Sequence, residues 1–275
     1  MMNRKCILIS LVLLFCFMLP VVAENREALV IGNGTYKTKN MQDLPNPVND
    51  AKEISEKLKK LDFNVVLITD ADVKTMDSEL KEFYKRSSKA QISMIYYAGH
   101  GIESDGINYL IPVENSITAD DELKRNAVDL THVINRLSDS TTGKYIIILD
   151  ACRDNPIKKT RGGGSRGLQP AKIDETAEGV IVYACAPGEA ANDGDGKHSP
   201  FTNALINHLE DKISFDEIIK AVRADVKAIT KNQQNPWSND TTTAPIYLNG
   251  TGGRANPVVY DDNIKKQGVN PVALS

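Results

Sequence analysis

The feature that most constrains this chain is a set of short, almost uninterrupted apolar runs set between amphipathic segments. Residues 28–31, 65–68, 92–98, 145–149 and 180–184 are such runs, bounded by Gly, Asp and Asn. Strands that are apolar on both faces must be covered on both faces. The intervening segments carry helical spacing. Asn46-Pro47 reads as an N-cap and first-turn pair ahead of Ile54, Leu58 and Leu61. Met76, Leu80, Phe83 and Tyr84 mark a second helix, and Leu130, Val133, Ile134 and Leu137 a third. Residues 201–209 make a fourth, and Ser214 with Glu217 forms a capping box opening a fifth, with Ile218, Ile219, Val222 and Val226 inward. This alternation predicts an α/β fold: a mostly parallel central sheet of about six strands with helices on both faces, a three-layer sandwich. Residues 245–248 are expected to add a last strand, at an edge because of Pro245.

Three polar connections interrupt the pattern, over residues 101–128, 154–178 and 188–200. All three follow the carboxyl end of a predicted strand, the edge where open parallel sheets build their sites. The second contains Lys158, Lys159, Arg161, three consecutive glycines, Arg166 and Lys172, and reads as an exposed, flexible basic linker.

The amino terminus has the layout of a secretory signal peptide. Arg4 and Lys5 precede an apolar run over residues 7–19, and Val21-Val22-Ala23 supplies small residues for cleavage. The run is too short for the roughly 20 residues that span a bilayer, so no stable membrane anchor is expected after cleavage. The chain of 275 residues is thus divided into a leader over 1–23, one domain over 24–249 and a tail over 250–275. Secreted or periplasmic placement follows. Loss of Arg4 and Lys5 would move the formal charge from −3 to −5. Neither value offers the basic surplus that nucleic-acid binding needs. The mature chain keeps Cys152 and Cys185, and two cysteines in an exported protein also admit one structural disulfide.

Two strand ends carry the chemistry. One reads Tyr97-Ala98-Gly99-His100-Gly101; the other reads Asp150-Ala151-Cys152-Arg153-Asp154. A His and a Cys at one sheet edge suit nucleophilic catalysis. A thiol of pKa about 8.5 is only about 3% ionised at pH 7, and a neighbouring imidazole raises the reactive fraction. The N–H groups of Gly101 and Cys152 are placed to cradle an oxyanion. His100 lies 52 residues before Cys152, close to the spacing of caspase-type enzymes.

With these motifs the sequence resembles the caspase-type cysteine peptidases of family C14, on the side of the paracaspases and their bacterial relatives. The resemblance runs from about Ala28 to Leu248 and includes Tyr109-Leu110-Ile111-Pro112-Val113 and Tyr183-Ala184-Cys185-Ala186-Pro187-Gly188-Glu189. It implies a Cys152–His100 dyad with Gly101 at the oxyanion hole. Caspases proper have Gln before the Ala-Cys pair, where this chain has Asp150. Asp50, Asp150 and Glu189 match the acidic residues of the paracaspase S1 pocket, which implies polypeptide substrates with Arg or Lys at P1. Gathered carboxylates repel one another, and a guanidinium relieves them with charge-assisted bonds. An enzyme of that specificity can cut its own linker, at Lys158, Lys159, Arg161, Arg166 or Lys172.

Two rivals remain open: a non-catalytic caspase-like scaffold or regulator, and a redox-latent form with a Cys152–Cys185 disulfide. Cysteine and histidine spacings form no zinc pattern. Gly32-Asn33-Gly34 lacks the third glycine of a dinucleotide site, and Gly162 to Ser165 lacks the lysine of a phosphate loop. No cofactor is expected, though the resemblance leaves Ca²⁺ activation open, as it does the choice between monomer and homodimer. Asn33, Asn239 and Asn249 head glycosylation sequons.

Overall fold

The computed structural model describes residues 25–37, 41–114, 117–152, 168–187, 191, 194 and 196–249, with Cys152 through its backbone alone. In chain order the elements are β1 (Arg26–Gly32), α1 (Pro47–Lys60), β2 (Asn64–Thr69), α2 (Val73–Ser87), β3 (Ile92–Ser104), β4 (Ile107–Leu110), a 3₁₀ turn (Asp120–Glu122), α3 (Leu123–Asn126) and β5 (Val128–Asp129). They continue with α4 (Leu130–Ser140), β6 (Lys144–Cys152), β7 (Gly179–Tyr183), α5 (Pro200–His208), α6 (Phe215–Ile229) and β8 (Trp237–Asp240).

The main sheet has the order β2-β1-β3-β6-β7-β8. Every neighbouring pair is parallel except β7 with β8. Side chains alternate across it with period two. Ala28, Val30, Met94, Tyr96, Ile146, Ile148, Val180 and Val182 pack under α1, α5 and α6. Leu29, Ile31, Ile95, Tyr97, Ile147, Leu149 and Ile181 pack under α2 and α4. The mostly parallel three-layer α/β architecture expected from the apolar runs is therefore present.

Four local expectations need correction. Residues 245–248 form no strand. Ile246 and Leu248 are both buried, and that period-two spacing is what resembled a strand. The segment is instead a strap: Ile246 O accepts from Phe215 N–H, and Leu248 O accepts from the buried Arg26 guanidinium. The edge position belongs to Trp237–Asp240, whose Ser-Asn-Asp run carries no apolar signature. The connection over 101–128 is not irregular throughout, because β3 runs on to Ser104 and folds back antiparallel as β4, which pairs with β5. The basic linker ends early. Leu168, Ala171 and Ile173 are buried against the α2/α4 face, so apolar side chains hold down its last third. Finally, Asn33 is no surface sequon. It is fully buried, its amide donating to Ile111 O at 3.1 Å and its Oδ1 accepting from Ala71 N–H at 3.0 Å.

Candidate active site

The central strands β3 and β6 run in parallel register from Ile92 opposite Lys144 to His100 opposite Cys152. Neighbouring strands lie about 4.8 Å apart, so the two residues singled out by motif are lateral neighbours at the carboxyl edge of the sheet. His100 is not a strand end as expected. It sits inside β3, at the point where the strand leaves β6 and turns toward β4.

That turn depends on Gly99, whose φ of +153° falls where side chains are rarely tolerated. A Cβ there would lie 2.7 Å from Tyr97 Oη and 2.9 Å from Tyr36 Oη. Both phenols hold the main chain of His100. Tyr97 O–H donates to His100 O at 2.6 Å, and His100 N–H donates to Tyr36 Oη at 2.8 Å. The Tyr36 ring also stacks at a tilt on the imidazole, with centroids 4.5 Å apart.

His100 is 3% exposed, and its Nε2 lies 2.8 Å from Gln42 O. A carbonyl oxygen only accepts, so Nε2 carries the proton and Nδ1 holds the basic lone pair. Gln42 therefore fixes the tautomer through its backbone, which is why no side-chain pattern disclosed it. Gly101 follows in β3, opposite Leu110. A Cβ on it would stand 3.0 Å from Leu168 Cδ2 and 3.1 Å from Ala151 Cβ, so the backbone approaches its surroundings closely there.

The carboxylates gather on the α1/α5 face of the same edge. Asp50 lies in the first turn of α1 and is 1% exposed; Asp150 lies two residues before Cys152 and is 5% exposed. Ser199, the N-cap of α5, joins them: its N–H donates to Asp50 Oδ2 at 3.3 Å and its hydroxyl donates to Asp150 Oδ2. Thr202 donates to the same Asp150 oxygen at 2.6 Å and stands 2.5 Å from Tyr96 Oη, so a chain of hydroxyls ends on that carboxyl. Burial drives Asp150 above the usual carboxylate range, against the pull of Ser199 and Thr202. His198 completes the cluster, with Nδ1 2.7 Å from Asp50 Oδ1.

Of the residues nominated from sequence, His100, Gly101, Asp50, Asp150 and the backbone of Cys152 thus meet at one sheet edge. Glu189, Lys158, Lys159, Arg161 and Arg166 lie outside the described residues. Lys172 is exposed, but Ala171 beside it is held by Tyr183 Oη at 2.9 Å and by the Asn239 amide at 3.1 Å. Cys185 is buried just past β7, within the α1/α5/α6 core. Sequence reasoning missed Tyr36, Gln42, His198, Ser199 and Thr202. Only Ser199-Pro200 had a local signal, the N-cap and first-turn proline of a helix. Among the described residues no helix is long and apolar enough to cross a membrane, and no group of three or more His, Cys, Asp or Glu could hold a metal ion.

A family model for the caspase domain matches residues 25–247. The human mucosa-associated lymphoid tissue lymphoma translocation protein 1 is 27% identical over 206 residues, which cover 74% of this chain and 24% of that protein. Its mouse homolog is also 27% identical over 206 residues, covering 74% of this chain and 23% of its own length. The chain thus spans about a quarter of the length of the curated relatives it matches. The match over nearly the whole described region, on this parallel sheet and with His100 beside Cys152, places the chain in the caspase domain family of cysteine peptidases, homologous to the paracaspases.

Proposed function

We propose that this chain is an exported cysteine endopeptidase that cleaves after Arg or Lys, with Cys152 as nucleophile and His100 as its acid–base partner. The observation that carries this reading is the register that sets His100 directly beside Cys152. The Cys152 thiol gives its proton to His100 Nδ1, and the thiolate attacks the scissile carbonyl carbon. The resulting oxyanion rests on the N–H groups of Gly101 and Cys152. His100 returns the proton to the leaving amine as the C–N bond breaks. Water then attacks the thioester, its proton passing to His100 and back to sulfur, and the acid product leaves. The Gln42 carbonyl keeps the Nε2–H side of the ring fixed throughout.

Asp50 and Asp150, with Glu189, supply the negative charge for a basic P1 side chain. Self-cleavage is proposed at Lys158, Lys159, Arg161 or Arg166, ahead of Lys172, whose neighbour Ala171 is hydrogen-bonded into the body of the domain. Location outside the cytoplasm rests on the leader over residues 1–23.

The test is a peptidase assay with Arg, Lys or Asp at P1, beside Cys152→Ala and His100→Ala. Cleavage after Arg or Lys that both substitutions abolish is the expected result. Preference for Asp, or activity surviving Cys152→Ala, overturns the reading. Intact-mass analysis of wild type against Cys152→Ala reports self-cleavage, and non-reducing peptide mapping tests the redox-latent rival. A stoichiometric Cys152–Cys185 bridge in active enzyme would rule out the thiolate mechanism. Rates with EDTA and with added Ca²⁺ decide the activation that the resemblance leaves open: an unchanged rate means that the ion is not required.

A further inference from the structure

His198 is a residue that this chemistry does not use, and it contacts a carboxylate that the basic-P1 reading assigns to a substrate side chain. Its imidazole Nδ1 contacts Asp50 Oδ1 at 2.7 Å, while the next residue, Ser199, donates its N–H to Asp50 Oδ2. Consecutive residues of one loop thereby engage both oxygens of one carboxylate. The imidazole is the outer partner, at 12% side-chain exposure against 1% for Asp50. Its loop is tied back to α1 by the Asn46 amide, 3.5 Å from Gly194 O. The charged groups facing it, among the described residues, are Asp50 and Glu53 on α1, Lys197 on its own loop, and Asp150 on β6 through Ser199. Lys197 and Glu53 stand 3.7 Å apart and largely answer one another.

We infer that His198 is a specificity-determining residue of the S1 subsite, holding the Asp50 carboxylate until a P1 guanidinium or ammonium displaces it. The inference rests on the basic-P1 reading and adds a gate to it. A neutral imidazole makes one hydrogen bond to Asp50 and is readily exchanged for a cation. An imidazolium makes an ion pair, and an arriving P1 cation would then meet a like charge over the carboxylate. Burial, helped by Lys197 and opposed by Glu53, holds His198 below the usual imidazole range, so the neutral ring prevails at pH 7 and acid is needed to charge it. Affinity for a basic P1 side chain should therefore fall as pH falls.

The test measures peptide binding to the full chain carrying Cys152→Ala, so that nothing is cleaved. Two hexapeptides that differ only in Arg or norleucine at P1 are titrated from pH 8 to pH 5. For the Arg peptide we expect Kd to rise as the ring takes up its proton, by about tenfold for each pH unit below the folded pKa of His198. The norleucine peptide should show no such rise. Adding His198→Gln, which keeps a donor that cannot titrate, should flatten the Arg profile, and His198→Asn should do the same. The imidazole resonance of His198 should lose its contact with Asp50 when the Arg peptide binds. A flat Arg profile with His198 present, or an unchanged slope in His198→Gln and His198→Asn, overturns the gate alone. Arg and norleucine peptides binding equally at pH 8 overturn the basic-P1 reading itself.

Discussion

Two clusters share the sheet edge where β3 and β6 part, and they are held by different kinds of force. Around His100 every described partner is neutral: the Gln42 carbonyl and the phenols of Tyr36 and Tyr97. Around Asp50 and Asp150 the described partners include hydroxyls, a backbone N–H and an imidazole, packed about two buried acids. The first arrangement fixes a tautomer and an angle, and only the ring itself need change charge. The second holds acidic groups where burial disfavours charge, as the raised pKa of Asp150 shows, so a cation brought beside them would favour their ionised form. Positioning and binding thus sit on adjacent strands, His100 on β3 opposite Cys152 and Asp150 two residues before Cys152 on β6. Substitutions should separate them too.

The largest effect is expected on the positioning side. Gly99→Ala forces a side chain into a positive-φ conformation and drives its Cβ into both phenols that hold His100. A displacement of about 1 Å at a reacting group costs on the order of 100-fold in rate. Gly99→Ala should therefore lose about that in kcat, with a lowered Tm, while the KM preference for Arg over norleucine survives. Loss of P1 preference together with kcat would mean that the two clusters are not separable.

The binding side should break in the opposite sense. Asp150→Asn keeps the shape but removes a buried acid whose pKa is raised by burial. Selectivity for Arg at P1 should drop about 10- to 100-fold, the range for a lost hydrogen bond to a charged group. Stability should move the other way. Because the folded protein holds this proton more tightly than the unfolded chain, wild type loses stability as pH rises from the carboxylate range toward the folded value. Asp150→Asn should thus have the higher Tm at pH 7, with the gap closing near pH 4. A lower Tm at pH 7 would show that Ser199 and Thr202 need an ionised acceptor.

A smaller change tests the neutral cluster more gently. Tyr36→Phe keeps the ring against His100 but leaves the buried His100 N–H without its acceptor. The cost should be about 1–3 kcal/mol in stability. The fall in kcat should be roughly tenfold, and the pH dependence of P1 binding should not change.

The sequence disclosed these two clusters unequally. The body of the sheet was readable because β3 and β6 are apolar on both faces, and the juxtaposition of His100 and Cys152 because each closely follows such a run in a motif of rare composition. Asp50 and Asp150 were recognisable only through family resemblance, since a carboxylate in a first helical turn or near a strand end is common in solvent. What escaped was whatever acts through the main chain or across long separations. The Gln42 carbonyl has no side-chain signature, and Tyr36 reaches His100 across 64 residues. Residues 245–248 misled because two buried side chains in period two describe a strap as well as a strand, while β8 is a mostly polar run held by backbone pairing to β7 and by Trp237 against Tyr183.

The weakest effect lies away from both clusters and calibrates them. His208, at the end of α5, bridges Asp211 at 2.9 Å and Asp225 of α6 at 2.9 Å. Burial alone would lower its pKa, but the hydrogen bonds and charges of the two aspartates raise it. A histidine whose folded pKa is raised adds stability that is complete below the unfolded value near 6.5 and is lost as pH climbs through the folded value. His208→Gln should therefore cost up to about 1 kcal/mol at pH 5.5 and less at pH 8, as partly exposed ion pairs do. Its P1 binding profile should follow wild type at every pH. An acid-dependent change in P1 affinity from this remote imidazole would mean that the α5–α6 body transmits protonation to the Ser199 cap, and that the gate at Asp50 is not local. An unaltered profile, set beside the flat one expected of His198→Gln, isolates the pH response to the single imidazole on Asp50.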